Sequence, residues 1–230
     1  MFVSLPTRQK AALRWATPLL FAALWLAFLW SLGRPDEARR SLWLAWGALG
    51  HGLGGGDAWL AALRDGSVLR LFTALFLHAD WAHLLGNLVF LLIFGLPAER
   101  AMGPWRFLLL FLVGGAVANV AAVLSIGTPD RVIIGASGAI SAVIGAYLAL
   151  FPTAKLGVVL PLGLFLEFVK APASLLIGIW ALLQVVFAYT GPAFGAVAWW
   201  AHIAGFLFGV VFALFVRAAI ARRMRKRQGY

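Results

Sequence analysis

The sequence predicts an all-α membrane protein, a six-transmembrane-helix bundle forming a single integral domain over residues 1–230. Three observations point to it. Hydrophobic residues make up 63% of the chain, against about 45–50% in an ordinary soluble domain, and mean hydropathy is +0.94. Six apolar runs approach the roughly 20 residues that a helix needs to cross hydrocarbon. Basic residues collect at the ends of those runs, where a membrane protein keeps them. The formal charge of +11 therefore implies a lipid bilayer as partner and no nucleic acid, because the cations form no aromatic-interleaved face. With no cysteine, the chain has no disulfide framework, thiolate metal site or cysteine nucleophile.

The runs fall at about 13–33, 81–98, 105–126, 135–151, 172–189 and 199–220. The first follows Arg8, Lys10 and Arg14, as a signal peptide would, but it is long, rich in Trp and lacks a small-residue cleavage site before Arg34. It reads as a retained span. Residues 41–50, SLWLAWGALG, are apolar but too short to cross, and they predict a segment in the outer interface anchored by Trp43 and Trp46. Residues 156–170, LGVVLPLGLFLEFVK, are broken by Pro161, Gly163 and Glu167. They read as a cytoplasmic-side interfacial or re-entrant piece, with a long fifth span as the rival. With the N-terminus in the cytoplasm and sides alternating, 13 of the 19 Lys and Arg fall inside with only two of the eight acids. The whole net charge is then cytoplasmic, as are both termini and a basic tail at about 217–230.

Polar side chains within the spans are few, and such residues mark function more often than in soluble proteins. They are His83 and Asn87 in the second span, Asn119 in the third, Ser137 and Ser141 in the fourth, Gln184 in the fifth and His202 in the sixth. Spans two, four and six run the same way, and their polar groups fall in the first two turns, so His83, Asn87, Ser137 and His202 share one depth. Ser137, Ser141 and Gly145 form a small-residue stripe at four-residue spacing, matched by Ala201, Gly205 and Gly209 on the sixth span. Such faces let two backbones approach closely. His202 borders that contact, within reach of Ser137, as a base must be to activate a serine. Taken alone, Ser137 reads as a packing residue bonded to the carbonyl four residues back; the shared depth favours chemistry. His83 and Asn87 lie on one helical face as donors for an oxyanion. No carboxylate lies at that depth, so a hydrolase here would use a Ser–His dyad.

These residues resemble a known family, the rhomboid intramembrane serine proteases. HADWAHLLGN resembles its second-helix pattern, with His78, His83 and Asn87 in His-x4-His-x3-Asn spacing; GASG resembles its nucleophile motif around Ser137; AHIAGFLFG resembles its sixth-helix motif with His202. GLPAERAMG is similar to the family's Gly-x3-Glu-x3-Gly pattern, in the turn after the second span. The resemblance implies a rhomboid-like bundle with a partly membrane-embedded first loop at 34–79, and a serine endopeptidase without cofactor or metal. It assigns Ser137 as nucleophile, His202 as general base, and His83 and Asn87 with the Ser137 backbone N–H as oxyanion donors. Its partners would be transmembrane protein substrates entering between the second and fifth spans of a bacterial cytoplasmic membrane, under a flexible cap at 190–198. Two departures stand out: Leu69-Arg70 replaces the family's Trp-Arg, and Ser141 replaces a Tyr that stacks on the histidine. Another group must then steady His202, with Trp199 and Trp200 nearest in sequence. The alternatives are an inactive relative that binds membrane proteins, or a small transporter using His83, Asn119 and His202 as a relay. Substrate, cleavage preference and oligomeric state leave no mark in the sequence.

Overall fold

In hydrocarbon each backbone N–H and C=O must find its partner within the protein, so uninterrupted apolar runs fold as helices. The computed structural model describes residues 14–49, 56–125, 131–162, 165–190 and 198–228. In chain order the helices are α1 (Ala16–Leu32), α2 (Asp36–Trp46), α3 (Gly56–Arg64), α4 (Arg70–Thr73), α5 (Trp81–Phe90), α6 (Leu96–Met102), α7 (Pro104–Ser125), α8 (Ser137–Leu150), α9 (Ala173–Thr190) and α10 (Trp199–Gln228). Four stretches are long and apolar enough to cross a membrane: Trp81–Met102, Pro104–Ser125, Ala173–Thr190 and Trp199–Arg222. With the shorter α1 and α8, they account for the six expected runs. The protein is an all-α membrane bundle with two small antiparallel strand pairs. The proposed cap at 190–198 lies, for residues 191–197, outside the described residues.

The second span runs four residues beyond its expected end. A π-helical turn at Leu91–Gly95 joins α5 to α6, and this wider turn accommodates Pro97, which lacks an N–H, so the helix continues through it. Chain reversal waits for Gly103, whose φ of 88° suits only glycine. Glu99 is therefore not in a turn but buried in the last turn of the span. Its two carboxylate oxygens accept from the backbone N–H groups of Ala16 (3.0 Å) and Thr17 (2.9 Å), the otherwise unpaired start of α1. Trp15 offers α1 no side-chain cap, so this distant carboxylate does the capping and matches the positive end of the helix dipole.

The centre of the bundle is α8. Ten of its residues from Gly138 to Tyr147 are buried in an unbroken row. At about 1.5 Å per residue its 14 residues cover about 21 Å, short of the roughly 30 Å hydrocarbon thickness. Ser137 is its first residue. The two small-residue stripes meet as expected. A Cβ on Gly145 would strike the Phe206 backbone, one on Gly205 the Gly138 carbonyl, and one on Gly209 the Ala142 carbonyl. Glycine at these three places is what lets α8 and α10 touch through their backbones.

Between α1 and α5 the described residues of the loop form helices and are tied to the bundle. Residues 36–46 form an amphipathic helix with no fully buried residue, and Trp46 is 52% exposed, as a non-crossing segment requires. Arg70 donates to the Leu44 carbonyl (3.3 Å) and Thr73 to the Trp46 carbonyl (2.7 Å), which supplies the anchoring that Leu69 cannot. Asn119 of α7 donates to the Leu71 carbonyl (2.8 Å). Strand β1 (Ala48–Leu49) pairs with β2 (Val132–Ile133), so the loop reaches the segment just before Ser137.

A further expectation needs correction. Residues 155–172 are neither a re-entrant piece nor part of a long fifth span: β3 (Lys155–Leu162) and β4 (Phe165–Pro172) form an antiparallel hairpin pairing Lys155 with Pro172 and Leu162 with Phe165. Pro161 and Gly157 break helix, whereas a two-stranded hairpin has free edges that tolerate proline. An open-edged hairpin leaves backbone groups that lipid cannot satisfy, which is compatible with an interface and not with a lipid-facing position in hydrocarbon. Beyond the span α10 continues through Ala, Arg, Met and Lys to Gln228, all good helix formers, so the backbone of the basic segment from 217 to 228 is helical. One prediction follows from the α1 cap. Glu99→Ala leaves two buried N–H groups unpaired, at about 1–3 kcal/mol each, so thermal unfolding in detergent should fall by several degrees; an unchanged midpoint would show that the cap contributes nothing.

Candidate active site

The site begins with how the chain enters α8. Gly135 has a φ of 115°, and a Cβ there would collide with Nε2 of His83. Glycine is needed for both reasons. Its N–H donates to the Ala74 carbonyl (2.9 Å), fixing the segment to the first loop. The helix then starts at Ser137 without a side-chain cap, so its first backbone N–H groups have no intrahelical acceptor and face the positive end of the dipole.

Ser137 Oγ lies 2.9 Å from Nε2 of His202, which projects from the first turn of α10. Ser141, not Ser137, makes the local bond to the carbonyl four residues back, donating to Ser137 O at 2.7 Å. Ser137 is thus free of the bland role, and its neighbour has it. On α5, capped by Asp80 accepting from the His83 N–H (2.8 Å), the His83 ring borders the same space. Asn87 is buried with its amide nitrogen 3.0 Å from His78 Nε2. That nitrogen carries two hydrogens, so one remains for another acceptor.

Two clefts open on this group. One of about 530 Å³ reaches Ser137, His83 and His202 from the side of Asp80, Asn119 and Arg131. The other, about 270 Å³, runs between α5 and α9 and is lined by Ser137, His83, Asn87, His202, Trp180 and Phe90. The first carries the charged groups Asp80 and Arg131; the second has no charged lining and adds Phe90, Ile140, Ile144 and Trp180. All four residues singled out in the sequence, Ser137, His202, His83 and Asn87, therefore meet in one place. Asn119 lines the first cleft and donates to the Leu71 carbonyl.

Residues 65–219 match the family model described as the Rhomboid domain. The chain belongs to the rhomboid family. It is 37% identical over 86 residues to the rhomboid protease GluP of Bacillus subtilis (strain 168), covering 37% of this chain and 16% of that one. YdcA from the same organism is 37% identical over 86 residues, covering 37% and 43%. RHOMBOID-like protein 5 of Arabidopsis thaliana is 30% identical over 87 residues, covering 38% and 28%. The chain thus matches less than half the length of each of these relatives. The matched residues 65–219 contain α5, α8 and the part of α10 up to residue 219.

Sequence reasoning looked to Trp199 or Trp200 to steady His202. Trp199 does stand edge-on to the imidazole, ring centroids 5.9 Å apart, but Trp200 turns away to Tyr189 at 5.8 Å. The closest contact was not foreseen: Gln184 Oε1 of α9 lies 2.7 Å from His202 Nδ1. Its signal was present as the single side-chain amide in an otherwise apolar span, yet spacing alone could not say which way it faces.

His78, ahead of α5, is almost wholly buried, and burial first, with His83 second, lowers its imidazole from 6.5 to about 4, against weaker upward pulls from the Phe76 carbonyl and Asp80. A neutral His78 can accept from Asn87. Because the unfolded chain binds the proton more readily, the stability due to neutral His78 is complete above pH 6.5 and is lost as pH falls toward 4. Wild-type stability should decline across that window, and His78→Gln should flatten the decline; equal slopes would contradict the assignment.

Proposed function

We propose that the chain is an intramembrane serine endopeptidase that cleaves transmembrane segments of membrane proteins with a Ser137–His202 dyad. The observation that carries this reading is the 2.9 Å contact between Ser137 Oγ and His202 Nε2, placed where two clefts converge. Membership of a family whose relatives include a named protease supports it.

In the reaction, Ser137 Oγ attacks the scissile carbonyl carbon while its proton passes to His202 Nε2. The carbonyl oxygen becomes an oxyanion, held by the Ser137 backbone N–H, the free amide hydrogen of Asn87 and the His83 ring. The tetrahedral intermediate collapses, the C–N bond breaks, and the imidazolium gives its proton to the departing amine. Water entering by the cleft that carries Asp80 and Arg131 then attacks the acyl-serine: His202 takes its proton, the ester bond breaks, and Ser137 Oγ is reprotonated. Each preorganised donor in such a water-poor site supplies about 10²–10³ in rate. The cleft between α5 and α9, with no charged lining, gives a substrate helix lateral access from lipid. The concentration of positive charge on one side supports cytoplasmic termini, and likeness to Bacillus subtilis relatives supports a bacterial inner membrane.

Ser137→Ala and His202→Ala should each abolish cleavage of a transmembrane reporter reconstituted in liposomes while unfolding midpoints stay near wild type. His83→Ala and Asn87→Ala should lower kcat by about 10²–10³. Cleavage persisting in folded Ser137→Ala protein would sink the reading.

A further inference from the structure

The base of the proposed dyad has a partner on its far side that the serine chemistry has not used. Gln184 is buried on α9, the outermost of the long spans, where only Ala173, Ile177 and Gln184 are buried. An amide in a lipid-facing helix is costly unless it is bonded, and this one bonds to His202 Nδ1 at 2.7 Å. The two imidazole nitrogens are thus both engaged, Nδ1 by Gln184 and Nε2 by Ser137.

We propose that Gln184 is the positioning residue of the site: its Oε1 accepts the Nδ1–H of His202 and so keeps the lone pair on Nε2, facing Ser137 Oγ. This rests on the dyad reading above. A neutral imidazole carries one proton, and the group at one nitrogen decides which nitrogen is left to act as base. With Nδ1 as donor, Nε2 can accept the Ser137 proton; with the proton on Nε2, that nitrogen is blocked. Aromatic neighbours cannot make this choice. Trp199 edge-on and Trp180 tilted by 31° at 6.5 Å confine the ring but offer Nδ1 no acceptor. Nor is a carboxylate at hand: the described side chains closest to His202 are Ser137, Gln184, His83 and the two tryptophans. Gln184 provides the orienting oxygen that a triad takes from a carboxylate, without placing a charge in the membrane. It also makes the base depend on α9 being docked, since no other described side chain reaches Nδ1.

The test is ¹⁵N NMR of histidine-labelled full-length protein in micelles, with the His202 signals assigned by their loss in His202→Gln. Wild type should show a protonated Nδ1 and a bare Nε2. Gln184→Met should shift His202 toward the Nε2–H form, and kcat for a transmembrane reporter should fall about 10- to 100-fold with KM within about twofold. Gln184→Glu, which retains an acceptor oxygen, should restore the Nδ1–H form. A wild-type spectrum with the proton on Nε2, or a Gln184→Met protein unchanged in tautomer, overturns the assignment. The tautomer is read without turnover, so a wild type that never cleaves would refute the dyad reading while the role of Gln184 is still decided.

Discussion

Everything at the site depends on two helix backbones touching. Between apolar helices in lipid there is no hydrophobic gain from association, so close packing and hydrogen bonds must hold them. Gly145, Gly205 and Gly209 meet the backbones of Phe206, Gly138 and Ala142 with no space for a Cβ. That contact fixes α10 on α8 and with it the distance from His202 to Ser137. A displacement of 1 Å between reacting groups can change a rate by about 100-fold, so glycines far from the chemistry set its geometry. Ser137, at the start of α8, completes the arrangement by lying where two clefts meet.

A second theme is how polar groups are settled inside an apolar protein. Glu99 caps α1 and Asn119 holds the loop at Leu71. Asn87 leans on His78, and His202 stands between Gln184 and Ser137. Glu99 and Asn119 hold the scaffold, and His78 and Gln184 stand behind Asn87 and His202, two residues of the proposed site. The Gly135 N–H bond to Ala74 and the β1–β2 pair join the first loop to the entry of α8, so the loop and the site form one network.

The spans, the small-residue stripes and the meeting of Ser137, His202, His83 and Asn87 were legible because each rests on periodicity along one helix or on a short local pattern. What was not legible depended on partners that spacing along one element does not identify. Glu99 looked like a turn residue because nothing in GLPAERAMG reveals that α1, 82 and 83 residues earlier, needs a cap. Residues 155–172 are apolar enough for a membrane piece, and only pairing between Lys155–Leu162 and Phe165–Pro172 distinguishes a hairpin from it. Gln184 was visible as an oddity in an apolar helix, but its direction depends on how α9 packs on α10. Trp199 was placed correctly beside His202 and Trp200 was not, since adjacent residues on a helix point about 100° apart.

The account centres on Ser137 as a hydroxyl made nucleophilic by His202 within the membrane. Its most direct test is to treat the folded protein with a fluorophosphonate and locate the adduct by mass spectrometry. The account predicts modification at Ser137, none at Ser141, and loss of labelling in folded His202→Ala protein. An unlabelled Ser137 in folded wild type, or labelling that persists without His202, would contradict it.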